Sequence, residues 1–128
     1  MTDTRHPDIE IYIKNCALQQ IVDWLEAHCE QLLIGKKTGD INHYTAVFTT
    51  GKVPVLIHEK VVGKAWSSVW FDGDCTPWQT DLDCARAAAA ALNTQIRCIA
   101  SGWQEGDDPD EWWKVENGET SQIQWHTQ

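Results

Sequence analysis

The chain has 128 residues, enough for one domain with its own core and too few for two. Hydrophobic residues make up 42% and charged residues 23%, a composition that excludes a disordered, collagen-like or coiled-coil chain. The formal charge is −9 and it is lopsided: residues 1–64 hold 8 acids and 7 bases, residues 65–128 hold 11 acids and 3 bases.

Residues 1–7 are polar and end in Pro7, which reads as a frayed, flexible terminus of a single domain spanning 1–128. Ile9, Ile11 and Ile13 alternate with Glu10, Tyr12 and Lys14, the period of a half-buried strand. Asn15 is placed to cap a helix over about residues 16–30, whose apolar face is Leu18, Ile21, Val22, Leu25 and Cys29. Leu32 to Lys37 reads as a short strand stopped by Thr38-Gly39-Asp40. His43 to Thr50 reads as a second, with Tyr44, Ala46 and Phe48 on one face. Thr50-Gly51-Lys52 marks a turn into Val53–Val62, where Pro54 points to an edge strand or a strand beginning. Beyond Gly63, Trp66, Ser68 and Trp70 share one face of a further strand.

A polar loop, Asp72 to Gln79, leads to a second helix. Thr80 is its N-cap, Asp83 completes a capping-box-like pattern, and Asn93 is a plausible stop after the alanine run. Gln95 to Ser101 is a strand. In the tail, Trp112–Val115 and Gln122–Trp125 flank Asn117-Gly118, a hairpin signal whose arms call for a longer loop. The pattern predicts an α+β sandwich with two helices on one face of a mostly antiparallel sheet. Its specific form is a ferredoxin-like β-α-β-β-α-β core with extra strands and a C-terminal hairpin. Such a fold hosts many functions and licenses none by itself.

The acidic balance, without Lys or Arg clusters, argues against nucleic acid and anionic membrane as partners. No apolar run reaches the roughly 18 residues of a membrane span. The N-terminus lacks the basic flank and apolar stretch of a signal peptide. Five cysteines, an odd number with no C-x-x-C pair, give no disulfide or zinc framework and suit a reducing cytoplasm. Cys75 is the thiol expected to be partly exposed, with Asp72 and Asp74 blunting its nucleophilicity.

Asp72-Gly73-Asp74 begins like a calcium loop. It then fails, with Pro77 where glycine is needed and Asp83 where glutamate is needed. No H-E-x-x-H, G-x-S-x-G, P-loop or G-x-G-x-x-G occurs, so no cofactor is implied. Eight tryptophans are the most unusual feature. Between Trp103 and Trp113, three of them (Trp103, Trp112, Trp113) coincide with Glu105, Asp107, Asp108, Asp110 and Glu111. Aromatic anchors beside carboxylates suit a binding surface, and the leading reading is a non-catalytic binding module using Trp103, Glu105, Asp107, Asp108, Asp110, Trp112 and Trp113. Its partner is expected to be a protein or a small cationic or polar ligand. One alternative is a small enzyme assembled from dispersed residues such as His58, Asp74 and Cys75. Another is an acidic inhibitor or immunity-type protein that masks a basic site.

At PDIEIYIKNC, DGDCTPW and GWQEGDDPDEWW the chain resembles a set of small, uncharacterised, acidic bacterial proteins of similar length. That set carries no assigned activity, so the resemblance implies a bacterial source and transfers no functional residues.

Overall fold

A computed structural model of the chain describes residues 6–100 and 111–125. In chain order the described elements are β1 (Ile9–Lys14), α1 (Leu18–His28), β2 (Gln31–Thr38), β3 (Ile41–Phe48), β4 (Gly51–Val62) and β5 (Trp66–Phe71). They continue with α2 (Asp81–Leu92), β6 (Ile96–Ile99), β7 (Glu111–Glu116) and β8 (Glu119–Gln124). The strands form one sheet in the order β2-β3-β4-β5-β1-β6-β7-β8, antiparallel at every junction. The class is therefore α+β, with sheet dominating.

Period two divides each strand between two faces. On one face lie Ile9, Ile11, Ile13, Tyr44, Ala46, Phe48, Val53, Val55, Ile57, Val69, Phe71, Ile96, Cys98 and Val115. They form a single core with Ile21, Trp24 and Leu25 of α1 and Cys84, Ala85 and Ala88 of α2. Each fully buried Ile, Val or Phe contributes about 1.5–3 kcal/mol relative to exposure. Ala85 and Ala88 are small enough to let α2 lie close to β1 and β6. Both helices thus cover the same face, and neither covers the other.

The second helix starts and stops as its sequence requires. Thr80 Oγ1 accepts from the Asp83 N–H at 3.2 Å, and Asn93 closes the helix in the left-handed conformation, its N–H bonded to the Ala89 carbonyl. The first helix departs from expectation. It is shorter than 16–30, and its N-cap is Ala17, whose N–H donates to Gln20 Oε1 at 2.9 Å. Asn15 does not cap it. It adopts a positive φ of 51°, which turns the chain out of β1, and its N–H bonds the Ala65 carbonyl.

Pro54 lies on an interior strand, not at an edge. Its carbonyl accepts from the N–H of Asp72, the residue after β5 ends, at 2.9 Å. The proline nitrogen faces that same side, so its missing donor falls where β5 supplies no partner. The tail hairpin needs no longer loop. Pairing runs from Glu111↔Gln124 to Glu116↔Glu119, and Asn117 and Gly118 turn the chain alone with φ of 54° and 78°. Two successive positive φ values match the twist of the flanking strands, and Asn-Gly supplies them at least cost. The expected fray does not reach His6, whose N–H donates to the Gln79 carbonyl at 2.9 Å; residues 1–5 lie outside the described residues.

Candidate functional site

The face that the helices leave uncovered carries an aromatic cluster. Tyr12 of β1, Trp66 of β5 and Trp112 of β7 stand on alternate positions opposite the core residues. Trp125, just past β8, closes over them. Its ring centroid is 4.8 Å from Trp66, 4.9 Å from Trp112 and 5.5 Å from Tyr12. Tyr12 meets Trp112 edge-on at 5.2 Å. The Trp112 and Trp125 rings lie at 72°, and Tyr12 meets both near 83°, the edge-to-face arrangement that ring quadrupoles favour. Trp66 and Trp112 are buried by these contacts, whereas Tyr12 and Trp125 stay half-exposed. Burial and the charge of Glu10 push the Tyr12 phenol up to about 12, so it remains a neutral hydrogen-bond donor at ordinary pH.

Arg97 of β6 seats in the notch between two of the indoles. Its guanidinium carbon is 4.7 Å from the Trp66 centroid and 4.5 Å from that of Trp125. Arg97 Nε donates to Gln95 Oε1 at 2.7 Å, and Gln95 Nε2 donates to Glu116 Oε1 at 3.2 Å. The guanidinium is therefore oriented on two sides before anything binds. This Tyr, Trp and Arg composition is the one enriched among residues that anchor protein contacts.

Of the residues expected to form the surface, Trp112 and Trp113 are described. Trp103, Glu105, Asp107, Asp108 and Asp110 lie outside the described residues. Trp112 and Trp113 point to opposite faces of β7. Trp112 joins the aromatic cluster, and Trp113 packs half-buried against the helix-side core. Sequence reading placed Trp66 and Trp70 on a common face but did not single out Tyr12, Arg97 or Trp125. One signal for Arg97 lay in the charge count, since Arg86, Arg97 and Lys114 are the three bases of residues 65–128.

The dispersed trio proposed for an enzyme does not converge. Gly51 abuts Cys75, where an added Cβ would stand 3.0 Å from its Sγ. His58 lies seven residues further along the same strand, roughly 23 Å away at about 3.3 Å per residue. Cys75 Sγ is 3.9 Å from Asp74 Oδ1, its chain neighbour. All five cysteines are free thiols, with Cys84 and Cys98 fully buried. Burial pushes both of these up, which keeps them as unreactive thiols. Among the described residues, no three His, Cys, Asp or Glu side chains are grouped so as to hold a metal ion.

Two other features lie at the end of the sheet where α1 ends and α2 begins. A concavity of about 250 Å³ is lined by His28, Phe48, Thr49, Thr50, Thr76 and Pro77. Its walls lean on Trp78, which stacks on Trp24 at 5.4 Å. Nearby, β1 parts from β6 beyond Tyr12↔Arg97, and the buried Asp81 carboxylate binds the Glu10 backbone and His6 Nδ1, the latter at 3.1 Å.

Burial raises the Asp81 carboxyl above its usual range, and the bonds from His6 and Glu10 offset this only in part. The folded protein therefore holds this proton more tightly than the unfolded chain. The resulting stabilisation is full below the unfolded value near 3.9 and is lost as pH rises through the native one. Relative to Asp81→Asn, wild type is expected to gain stability as pH falls from about 7 towards 4. Urea denaturation of both proteins across that range checks it, and a pH-independent difference would contradict it.

No protein-family model, curated protein or solved structure matches this chain.

Proposed function

We propose that this chain is a non-catalytic binding module, and that its contact surface is the Trp-rich sheet face opposite the helices. The observation that carries the reading is the gathering of Tyr12, Trp66, Trp112 and Trp125 around Arg97 on a face neither helix covers. Half-exposed aromatic rings give contact area at low entropic cost, and an oriented guanidinium gives directionality. We read β4, β5, β1 and β6 with the two helices as a ferredoxin-like core. The β2-β3 hairpin then extends one edge of the sheet, and β7-β8 the other.

The partner class follows from charge. With 11 acids against 3 bases in residues 65–128, a protein presenting a basic surface is steered towards this half. That is the behaviour of an acidic inhibitor or immunity-type protein, and it is the form of the reading that the charge asymmetry favours. The bacterial cytoplasm is the compartment it implies, given five free thiols.

Site-specific photocrosslinking tests the choice of face. Ser121 is exposed on the aromatic face, opposite Lys114, and Ala91 is exposed on α2. A photoreactive residue at 121 is expected to form one dominant protein adduct in bacterial cytosol, weakened by salt, while the same residue at 91 forms none. Adducts from 91 alone, or equally from both positions, would refute this surface.

A further inference from the structure

Resting on that reading of the face, we propose that Arg97 and Lys114 form a seat for a carboxylate group presented by the binding partner. The two residues are direct cross-strand partners between β6 and β7, so their side chains leave the same face at neighbouring positions. Like charges placed directly opposite one another destabilise a strand pair. Here they are two of the only three bases in a half-chain holding 11 acids, so carboxylate partners were plentiful in composition. Yet among the described residues no carboxylate lies within 4 Å of either cation. Glu116 shares the face and its charge acts on Arg97, but it makes no ion pair with it, and its Oε1 accepts from Gln95.

A second observation points the same way. Trp112 stands two residues before Lys114 on the same face and is only 6% exposed. Its Nε1 is buried without an acceptor among the described residues. Buried indole N–H groups ordinarily find one. Arg97 and Lys114 thus have no bonded carboxylate among the described residues, on the same face as a ring whose own N–H is unbonded. The arrangement is preorganised, because Arg97 is held by two rings and by Gln95. A fixed guanidinium pairs with planar carboxylate oxygens, and an ammonium beside it adds charge.

Carboxylate is favoured over phosphate by the net charge of −9, which repels a dianion about twice as strongly as a monoanion. That repulsion is screened beyond about 8 Å at physiological ionic strength, whereas the contact itself is not. The partner is then a protein whose overall basic surface is steered in by the acidic half and whose single acidic group is fixed in register by this seat.

The experiment is an NMR titration of the full chain with sodium acetate, replaced mole for mole from sodium chloride at constant ionic strength. The Arg97 Nε–Hε resonance is expected to shift saturably. In Lys114→Gln the half-saturation concentration should rise about five- to tenfold, and in Arg97→Gln the Trp112 Nε1–H resonance should no longer respond. Thermal melts confirm that each variant folds, and Lys114→Gln is half-exposed and tolerant enough to keep the test open if Arg97→Gln is not. A linear, unsaturable shift, an unchanged midpoint in Lys114→Gln, or tighter saturation by inorganic phosphate would overturn the proposal. Saturation by acetate alongside crosslinking confined to position 91 would instead leave the seat standing and refute the protein-docking reading.

Discussion

Replacing Trp112 with alanine is expected to lower the stability of the fold by about 3–5 kcal/mol, the range for truncating a buried aromatic. Trp112 is 6% exposed, pairs with Ile99 and Ile123 across the sheet, and meets the Tyr12 and Trp125 rings at 5.2 and 4.9 Å. Each such edge-to-face pair adds about 0.5–1.5 kcal/mol beyond the area buried. Set against a net domain stability of about 5–15 kcal/mol, the loss takes a large share and lowers Tm by about 12–20 °C. Trp112→Phe should recover most of it. Urea and thermal denaturation check both variants, and a loss under about 1 kcal/mol for alanine would show that the ring is not part of the packed cluster. A binding defect in Trp112→Ala is for this reason uninformative. Trp125, outermost and half-exposed, is where a contact can be removed with the sheet intact.

Trp78→Ala is the second large effect, again about 3–5 kcal/mol, and it acts at the other end of the molecule. Trp78 is 7% exposed and stands 5.4 Å from Trp24, 5.3 Å from His28, 5.5 Å from Phe71 and 6.4 Å from Phe48. It is the plug through which the loop between β5 and α2 joins the core. Thr76 fixes it locally, its hydroxyl donating to the Trp78 carbonyl at 2.8 Å and accepting from the Trp78 N–H at 3.3 Å. Loss of the plug should free that loop. The Thr50 hydroxyl bond to the Cys75 carbonyl, at 3.0 Å, and the His6 N–H bond to the Gln79 carbonyl, at 2.9 Å, then remain as tethers. Reaction of Cys75 with a thiol reagent under native conditions is expected to accelerate, while Cys84 and Cys98, fully buried in the main core, stay protected. Unchanged Cys75 kinetics with the full stability loss would mean that the loop is held by its own bonds and not by Trp78.

Much of the local structure was legible from the chain alone, because its causes lie within a few residues. Ile9, Ile11 and Ile13 declare a strand by alternation, and Thr80, Asp83 and Asn93 bound α2 through caps that need no distant partner. Asn117-Gly118 likewise dictates its own turn. Where two local signals competed, the sequence misled. Asn15 satisfies both a helix cap and a left-handed turn, and the pairing of its N–H with Ala65, fifty residues away, decided for the turn. Pro54 reads in isolation as an edge or a strand beginning, and it stands near the start of an interior strand. It is tolerated inside the sheet because β5 happens to end at Phe71, a fact of register.

The order of strands and the composition of the candidate surface belong to tertiary structure alone. β1 lies at the middle of the sheet by pairing Ile9 with Phe71 and Tyr12 with Arg97, contacts 62 and 85 residues apart in the chain. Those pairings place Tyr12, Trp66, Trp112 and Arg97 on one face, and the course of β8 brings Trp125 over them. Composition determined that tryptophan would be abundant and the C-terminal half acidic. Which rings are buried and which remain at the surface was set by non-local burial of apolar area, a quantity no short window of sequence contains.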